Sequence, residues 1–405
     1  MFSNLKKRPA LMMLLILGCL LFGVSAWYFS QAYPFYVKIQ QDPTIDVGIE
    51  IYHLDGAAGV QVVPEWAPAA GVLVACPFHL PSGVLHEISL EHKLFIITDE
   101  EAQKANCLDE LSEHAISLNN VEFIFSRHSD GHKWTRDWGP YPVSKNGMLY
   151  LVDANFHDYT YSRYDSQNNL IRTLSNWIPF YSTEQDDEAP GAVADYFDLP
   201  REEVSIALTG GTAMFDGQGT LFIHRVTIDE NIYLGHTFEE FQEQLATSFG
   251  VSRLIVLPNY ESWGLQHIDC LLKLLDENRI LVKRLESSHP DHQRVELIAE
   301  ALSELKTLDG KNYEILRIDT PNYAEGRAAP YTNSLIFNNK VFVPLMGIPG
   351  DEEAINTWKE AMPGYEVFGY QMQGEMWPWF EYDALHCRTK SIVITEVVDE
   401  SGGQD

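Results

Sequence analysis

The chain has 405 residues, of which 45% are hydrophobic and 21% are charged, enough for one large domain or two ordinary ones. Its 58 acidic and 28 basic residues give a formal net charge of -30, which argues against a nucleic-acid-binding protein, because such proteins need basic patches. The acidity fits either a well-solvated surface or an acidic cleft that attracts a cationic substrate.

The first 30 residues predict an export segment. Three basic residues at positions 6–8 precede an apolar run over 11–24, which ends in small residues typical of a signal-peptide cleavage site. The apolar stretch 9–29 is also long enough to span a bilayer as an uncleaved anchor. We therefore interpret residues 1–30 as a signal peptide or membrane anchor and expect the remainder in the periplasm or outside the cell.

The rest of the chain divides into a connector over 31–63, one domain over 64–397 and a polar tail over 398–405. Within this part the widely spaced cysteines are not typical of a disulfide framework or a zinc site. Cys76 and Cys107 could form a disulfide in an oxidising compartment, and at least one thiol is expected to stay free.

Short apolar strands mixed with amphipathic helices follow the connector. Strands are predicted over 71–76, 93–97, 121–125, 148–152, 204–208, 220–224, 253–257, 279–283, 313–318, 340–344, 365–369 and 391–396. Helices are predicted over 99–118, 238–249, 292–305 and 351–362. Helices between groups of strands indicate an α/β fold with a mixed sheet. Residues 166–190 are interpreted as a surface insertion or lid, or as a loop without a task.

The first candidate site residues lie beside glycines and aromatic residues. Asp137 sits in the stretch 134–140 (WTRDWGP), where it is either a salt-bridged structural carboxylate or a site residue. The pair Gly210 and Gly211 permits close approach of the backbone, and Asp216-Gly217 is typical of a hairpin turn. Turn chemistry explains most of this second stretch without any ligand.

A histidine and a carboxylate follow at 264–269. On a strand, His267 and Asp269 would point to the same face, where they could transfer protons and bind a cation. A packed structural histidine is an equal alternative. Metal binding is a weaker one, since no third ligand lies nearby in the sequence.

The last candidate is Cys387, which lies between His386 and Arg388. Positive neighbours favour the nucleophilic thiolate form of a cysteine, although a single thiol is by default a buried inert residue. His386 would point to the opposite strand face, so His267 is the preferred proton-transfer partner.

Taken together and in this order, these stretches resemble the agmatine deiminase and bacterial peptidylarginine deiminase family, which modifies guanidino groups. The matching stretches are 134–140, 210–220, 267–269, 331–334 and 385–389, with a further similar segment at 64–68. The resemblance covers about residues 64–396. It implies an α/β fold that is a five-bladed, pseudo-symmetric propeller (pentein) of ββαβ-type modules, with the reactive residues meeting in the central channel.

The resemblance also implies roles for the site residues. Asp137 and Asp269 match two carboxylates that hold the guanidinium nitrogens through charge-assisted hydrogen bonds. Cys387 matches the nucleophile that forms a covalent amidino-thioether, and His267 matches the acid that protonates departing ammonia and then the base that activates water. Further substrate-binding candidates are Trp134, Asn333, Gly210 and Gly211. The scheme needs no metal and no cofactor.

Two departures from the family pattern leave alternatives open. Thr212 stands where Asn is common, and Tyr382-Asp383 stand where Gly-Gly commonly precedes the final motif. A guanidinium-binding module without turnover and an amidinotransferase on the same fold are the alternatives. A Cys–His protease is disfavoured, because two carboxylates beside the nucleophile would repel an oxyanion.

The expected function is hydrolytic deimination of a guanidino substrate. Peptidyl- or protein-bound arginine, giving citrulline, is placed slightly ahead of agmatine, giving N-carbamoylputrescine, because an exported enzyme meets extracellular peptides. The expected partners are the small guanidino or arginine-peptide substrate and, through residues 1–30, a membrane if the segment is an anchor. Nucleic acid is not expected.

Overall fold

The computed structural model describes residues 48–99, 101–126, 133–156, 161–164, 170–174, 184–261, 263–372 and 378–394. The predicted leader over 1–30 and the predicted tail over 398–405 lie outside these residues. Across the ranges that are described, no helix is long and apolar enough to cross a membrane.

Helix boundaries follow local chemistry. The helices are α1 (Ser82–Glu91), α2 (Glu101–Glu113), α3 (Thr135–Trp138), α4 (Glu184–Asp187), α5 (Ala189–Phe197), α6 (Arg225–Tyr233), α7 (Phe238–Ser248), α8 (His292–Ser303) and α9 (Gly350–Ala361). At the start of α7, the Thr237 hydroxyl accepts from the Glu240 backbone N–H, and the Glu240 carboxylate accepts from the Thr237 N–H. The four helices predicted from periodicity are confirmed, with ends shifted by a few residues.

The strands are short, between two and eight residues long. They are β1 (Glu50–His53), β2 (Val60–Val62), β3 (Gly71–Ala75), β4 (Lys93–Thr98), β5 (Val121–Phe125), β6 (Tyr141–Lys145), β7 (Met148–Asn155), β8 (Tyr161–Tyr164), β9 (Leu170–Leu174), β10 (Arg201–Ala207), β11 (Ala213–Phe215), β12 (Thr220–His224), β13 (Arg253–Leu257), β14 (Trp263–Gly264), β15 (Leu272–Leu274), β16 (Arg279–Leu285), β17 (Glu314–Thr320), β18 (Asn322–Ala324), β19 (Arg327–Ala328), β20 (Leu335–Phe337), β21 (Lys340–Leu345), β22 (Glu366–Gln371) and β23 (Lys390–Ile392). Each predicted strand overlaps an observed one, because runs such as RLIVL in β13 are buried on both faces.

One arrangement recurs in five sheets of the described chain. Two antiparallel strands are followed by a helical crossover and a third strand parallel to the second, as parallel pairing requires. The five sets are β23-β3-β4, β6-β7-β10, β11-β12-β13, β15-β16-β17 and β20-β21-β22. In the first set the antiparallel partner comes from the far end of the chain, since Lys390 pairs with Leu73.

The predicted connector contributes to this fold. β1 pairs antiparallel with β13, and β2 pairs antiparallel with β6. The folded region therefore begins before the predicted boundary at residue 64, because Val60–Val62 covers an otherwise open strand edge. The stretch 166–190 is likewise not a plain loop, since β9 and α4 lie in it.

The cysteines Cys76 and Cys107 form a disulfide with a sequence separation of 31 residues. It links the end of β3 to α2, and both residues are buried.

Replacing Cys107 by serine is expected to lower the free energy of unfolding by about 3–4 kcal/mol, the loop-closure entropy for this spacing. Denaturant unfolding of the variant and of wild type, with and without reductant, measures this. Reduced wild type should match the variant; a variant as stable as the oxidised protein would contradict the expectation.

Candidate active site

The segment around His267 does not form a strand, the conformation in which His267 and Asp269 would have shared a face. β14 ends at Gly264, where φ is 153°, and Gln266 adopts a φ of 57°, a left-handed conformation that breaks an extended chain. A 3-10 turn over Ile268–Cys270 follows, with His267 at its start. The turn, rather than strand alternation, brings His267 and Asp269 into one site.

Two glycines let the neighbouring backbone approach this turn. A Cβ on Gly211 would lie 2.4 Å from His267 Nδ1 and 2.9 Å from Asp137 Oδ1, and one on Gly210 would lie 1.9 Å from the Arg136 carbonyl oxygen. The Gly211 N–H donates to Asp137 Oδ1 at 3.1 Å. The glycines therefore serve as close-packed walls of the site that also fix the Asp137 carboxylate.

The sulfur of Cys387 lies among three polar groups. Asn333 donates to it from Nδ2 at 3.2 Å and accepts from the Cys387 N–H at 3.3 Å. Asp269 Oδ2 lies 3.6 Å from the sulfur, and His267 makes a hydrogen bond with it. The side chains of these four residues are at least nine-tenths buried, so a group that reaches the sulfur is held inside the protein.

His386 supports Asp269 from behind. Its Nδ1 lies 2.7 Å from Asp269 Oδ2, and its Nε2 lies 2.8 Å from Glu65 Oε2. Burial, together with Arg136 and Lys273, lowers the pKa of His386, but only a doubly protonated ring donates to both carboxylates. We assign the imidazolium form because that geometry requires a proton on each nitrogen.

The two carboxylates are held in their charged forms. Burial opposes the charge on Asp269, but hydrogen bonding and charge from His386, with charge from His267, lower its pKa to about 2. For Glu65, burial is likewise outweighed, by the charges of His386, Lys273 and Arg136, and its pKa is held well below its usual range. Asp269 therefore stays anionic throughout the physiological pH range.

The cations flanking Cys387 in sequence are engaged elsewhere, contrary to the sequence argument that they act on the thiol. His386 bonds to the two carboxylates described above. Arg388 donates to both oxygens of Asp383, at 2.9 and 2.7 Å, because side chains one residue away in this turn point away from the sulfur. Asp383 is one of the departures from the family pattern, and its role here is to hold this turn.

Tyr382 and Thr212, the other two residues that differ from the family pattern, also have defined contacts. The Tyr382 ring stacks on Phe380 with centroids 5.7 Å apart, and its carbonyl oxygen lies 4.0 Å from the Cys387 sulfur. The Thr212 hydroxyl donates to the Thr209 carbonyl oxygen at 2.7 Å, within the glycine turn. The Trp134 side chain makes a hydrogen bond with Asp383. The Lys133 ammonium lies 5.0 Å from the centroid of the Trp134 ring.

A second thiol, Cys270, lies in the site and was missed from the sequence. Its sulfur is 3.4 Å from Asp269 Oδ1 and 3.6 Å from Asn333 Nδ2. Hydrogen bonding to Cys387 and then burial raise its pKa well above the usual range, so Cys270 is a neutral thiol. Asp269, Cys270 and Cys387 offer ligand atoms within 4.8 Å of one another and could hold a thiophilic metal, which would then occupy the sulfur proposed as nucleophile.

His267 carries a proton at neutral pH. Burial disfavours its charge, but Asp137, the hydrogen bond to Cys387 and the charge of Asp269 raise its pKa from 6.5 to about 9. Its Nδ1 lies 3.9 Å from Asp137 Oδ1. The ring is therefore a proton donor next to the sulfur.

The raised pKa predicts a pH-dependent stability. The contribution of His267 is fully present below pH 6.5 and is lost as the pH rises through about 9; a shift of 2.5 units corresponds to about 3 kcal/mol. Lys133 and Lys273, whose pKa values burial lowers to about 8, change stability in the opposite direction over this range. Because His267→Asn retains both lysines, the difference in unfolding free energy between it and wild type should shrink by about that amount from pH 6 to pH 9.5. A constant difference in denaturant titrations would contradict this.

Known proteins resemble this chain over most of its length. A family model described as Porphyromonas-type peptidyl-arginine deiminase matches residues 61–392. A Vibrio parahaemolyticus protein with the provisional name agmatine deiminase is 24% identical over 334 residues, covering 72% of this chain and 87% of its own. The agmatine deiminase of Medicago truncatula is 22% identical over 325 residues, covering 71% and 81%.

Solved structures share the fold. The structure described as agmatine deiminase of Enterococcus faecalis catalysing its reaction superposes with a TM-score of 0.65 at 16% identity, covering 82% of this chain and 96% of that one. The fold is thus the α/β fold of that group of structures.

Proposed function

Since the chain belongs to the Porphyromonas-type peptidyl-arginine deiminase family, we propose that it hydrolyses a guanidino substrate, releasing ammonia and leaving a ureido product. One observation carries the proposal: the Cys387 sulfur, the His267 imidazolium and two carboxylates from distant parts of the chain share one buried site. A planar cation needs anionic groups to hold it and a soft nucleophile to attack its weakly electrophilic carbon.

The geometry suits a two-step reaction. The Cys387 thiolate attacks the central guanidinium carbon, and one C–N bond breaks as His267 gives its proton to the departing ammonia. The resulting amidino-thioether is attacked by water, whose proton passes to the now neutral His267. Cleavage of the C–S bond then releases the ureido product and regenerates the thiolate, while the remaining hydroxyl proton passes to solvent and is taken up by the released ammonia. The Asp137 and Asp269 carboxylates hold the cation throughout.

Two substrate classes fit the family. The family model supports arginine within peptides, giving citrulline, and the names of the Vibrio and Medicago relatives support agmatine, giving N-carbamoylputrescine. Ammonia release should be measured with agmatine, free arginine and an arginine-terminated peptide, with Cys387→Ala as the blank. We expect one of the three to exceed the others in kcat/KM by about 100-fold, because a poorer substrate that leaves one buried polar group unpaired loses up to about 3 kcal/mol. If none releases ammonia above the blank, the hydrolase proposal fails.

The guanidinium-binding module without turnover predicts a different result with 2-chloroacetamidine, a guanidinium mimic with a leaving group. An active site should direct alkylation to Cys387 at a rate well above that of Cys270, the adjacent buried thiol. Equal, slow modification of both thiols would support the binding module instead.

We further propose that the five repeated sheets are the blades of a pseudo-symmetric propeller around the site. The recurring pattern of strands supports this arrangement, as does the pairing of β23 with β3 across the ends of the domain.

We also propose that the domain is exported, on a leader that is either cleaved or kept as a membrane anchor. The basic and apolar residues at 6–24 support this, and so does the Cys76–Cys107 disulfide, a bond favoured in oxidising compartments. Cell fractionation with mass determination of the N-terminus tests it.

A further inference from the structure

A cavity of about 70 Å³ lies behind the catalytic groups, on the side of His386 that faces Glu65. Its ionisable acidic and basic lining residues are Glu65, Arg136, Lys273, His386 and Lys390. Apolar walls surround these groups and include Val62, Met214, Phe215 and Leu274. A cavity of this size holds roughly five water molecules, or a ligand of about five heavy atoms.

Positive charge exceeds negative charge in this cavity. Glu65 is the one carboxylate of the lining, and it already binds Lys273 at 3.1 Å and His386 at 2.8 Å. Arg136 Nη2 is 3.8 Å from Glu65, is buried and has no hydrogen-bond partner. The arginine therefore retains an unused donor.

Lys390 is the least compensated of the cations. It is 5% exposed, and among the described residues no carboxylate lies within salt-bridge distance of it. Its ammonium lies 4.5 Å from the centroid of the Tyr141 ring. Burial and then the charge of Arg136 lower its pKa to about 7, against the opposing charges of Glu65 and Asp137. A buried cation without an anionic partner is costly, and an anion in the cavity would relieve that cost.

We propose that this rear cavity is a binding site for a small monocarboxylate, whose charged end pairs with Lys390 and Arg136 and whose short alkyl chain contacts Met214 and Phe215. A carboxylate matches the unused donors better than a phosphate, because a phosphate would leave oxygens against the apolar walls. The front of the site is unsuited to anions, since Asp137 and Asp269 would repel them.

Occupancy would act on the catalytic groups through short contacts. Arg136 precedes Asp137, and its Nε donates to the His386 carbonyl oxygen at 3.3 Å. Glu65 reaches Asp269 through the His386 ring. Only the His386 side chain therefore separates the cavity from the Asp269 carboxylate, which holds the substrate in our proposal. An anion bound in the cavity is positioned to change how Asp269 binds the substrate.

Isothermal titration of sodium propionate into the full-length protein at constant ionic strength tests the site without requiring turnover. We expect saturable binding, weakened at least about tenfold in Lys390→Met, which keeps the aliphatic stem, and unchanged in Lys359→Met, an exposed control on α9. Propionamide, the neutral isostere, should bind at least about tenfold more weakly than propionate. Equal affinity of wild type and Lys390→Met, or no saturation by 50 mM propionate (roughly the weakest affinity a specific site would show), would overturn the proposal.

A second measurement stands even if Lys390→Met does not fold. Binding an anion favours protonated Lys390, so the wild-type affinity for propionate should fall by up to about tenfold per unit as the pH rises above 7. An affinity that is constant from pH 6 to pH 8.5 would contradict a site built on this lysine.

Discussion

Replacing Cys387 by alanine is expected to lower kcat by at least about 10⁴-fold, while the Kd for the guanidino substrate stays within about threefold. The covalent step requires the sulfur, whereas Asp137 and Asp269 hold the cation whether or not the sulfur is present. Ammonia release measures the first quantity, and calorimetric titration measures the second.

The matched control is Cys270→Ala, which removes the other buried thiol of the site and leaves the proposed nucleophile in place. It should retain most of the activity, with a moderate loss from repacking around Asn333, which contacts both sulfurs. If activity survived in Cys387→Ala and disappeared in Cys270→Ala, the nucleophile would be Cys270 and our assignment to Cys387 would be wrong.

Replacing Asp269 by asparagine should reduce kcat/KM by roughly 10³-fold and raise KM, because one of two anionic groups that hold the guanidinium is lost. It should also lower the free energy of unfolding by about 3 kcal/mol, since His386 then lies buried with one carboxylate partner in place of two. Steady-state kinetics and denaturant unfolding give the two numbers.

Asp137→Asn separates the two effects. Asp137 holds the same substrate in our proposal, and its carboxylate accepts from the Gly211 N–H and lies 3.9 Å from His267 Nδ1. The carboxylate that pairs with His386 Nδ1 is that of Asp269. Asp137→Asn should therefore damage kcat/KM to a similar degree with a smaller loss of stability. If Asp269→Asn changed kcat/KM by less than about tenfold, the paired-carboxylate scheme would be wrong.

Much of the fold could be predicted from the sequence, for a local reason. Several predicted strands, such as β3, β12 and β13, are short runs of branched and aromatic residues that the fold buries on both faces. Helices such as α8 carry buried Val295, Ile298 and Leu302 on one stripe. Helix α1 was missed because its apolar residues form only a weak stripe. Strands β1 and β2 were missed because they are only four and three residues long, and the apolar Ile51 of β1 is exposed. Their pairing partners, rather than their composition, make them strands.

The site was predictable as a set of residue types and not as a network. Cys387, His267, Asp137 and Asp269 lie in recognisable stretches, and the structure brings them together. His386 was set aside because a strand was assumed where the chain makes a turn.

Glu65 gave no separate signal, since it meets His386 across 321 residues. Cys270 is beside Asp269 in sequence, yet its nearness to Cys387 depends on the 3-10 turn. Long-range pairing of this kind is absent from local patterns.

The pairing of β23 with β3 has a consequence for how the protein matures. Cys387 lies three residues before β23, and β23 must find a partner strand more than 300 residues earlier in the chain. Contacts between such distant segments form late, because the entropy of closing the intervening loop is lost first. A growing chain is therefore expected to be inactive on the ribosome, and competence for turnover arises only when β23 docks against β3.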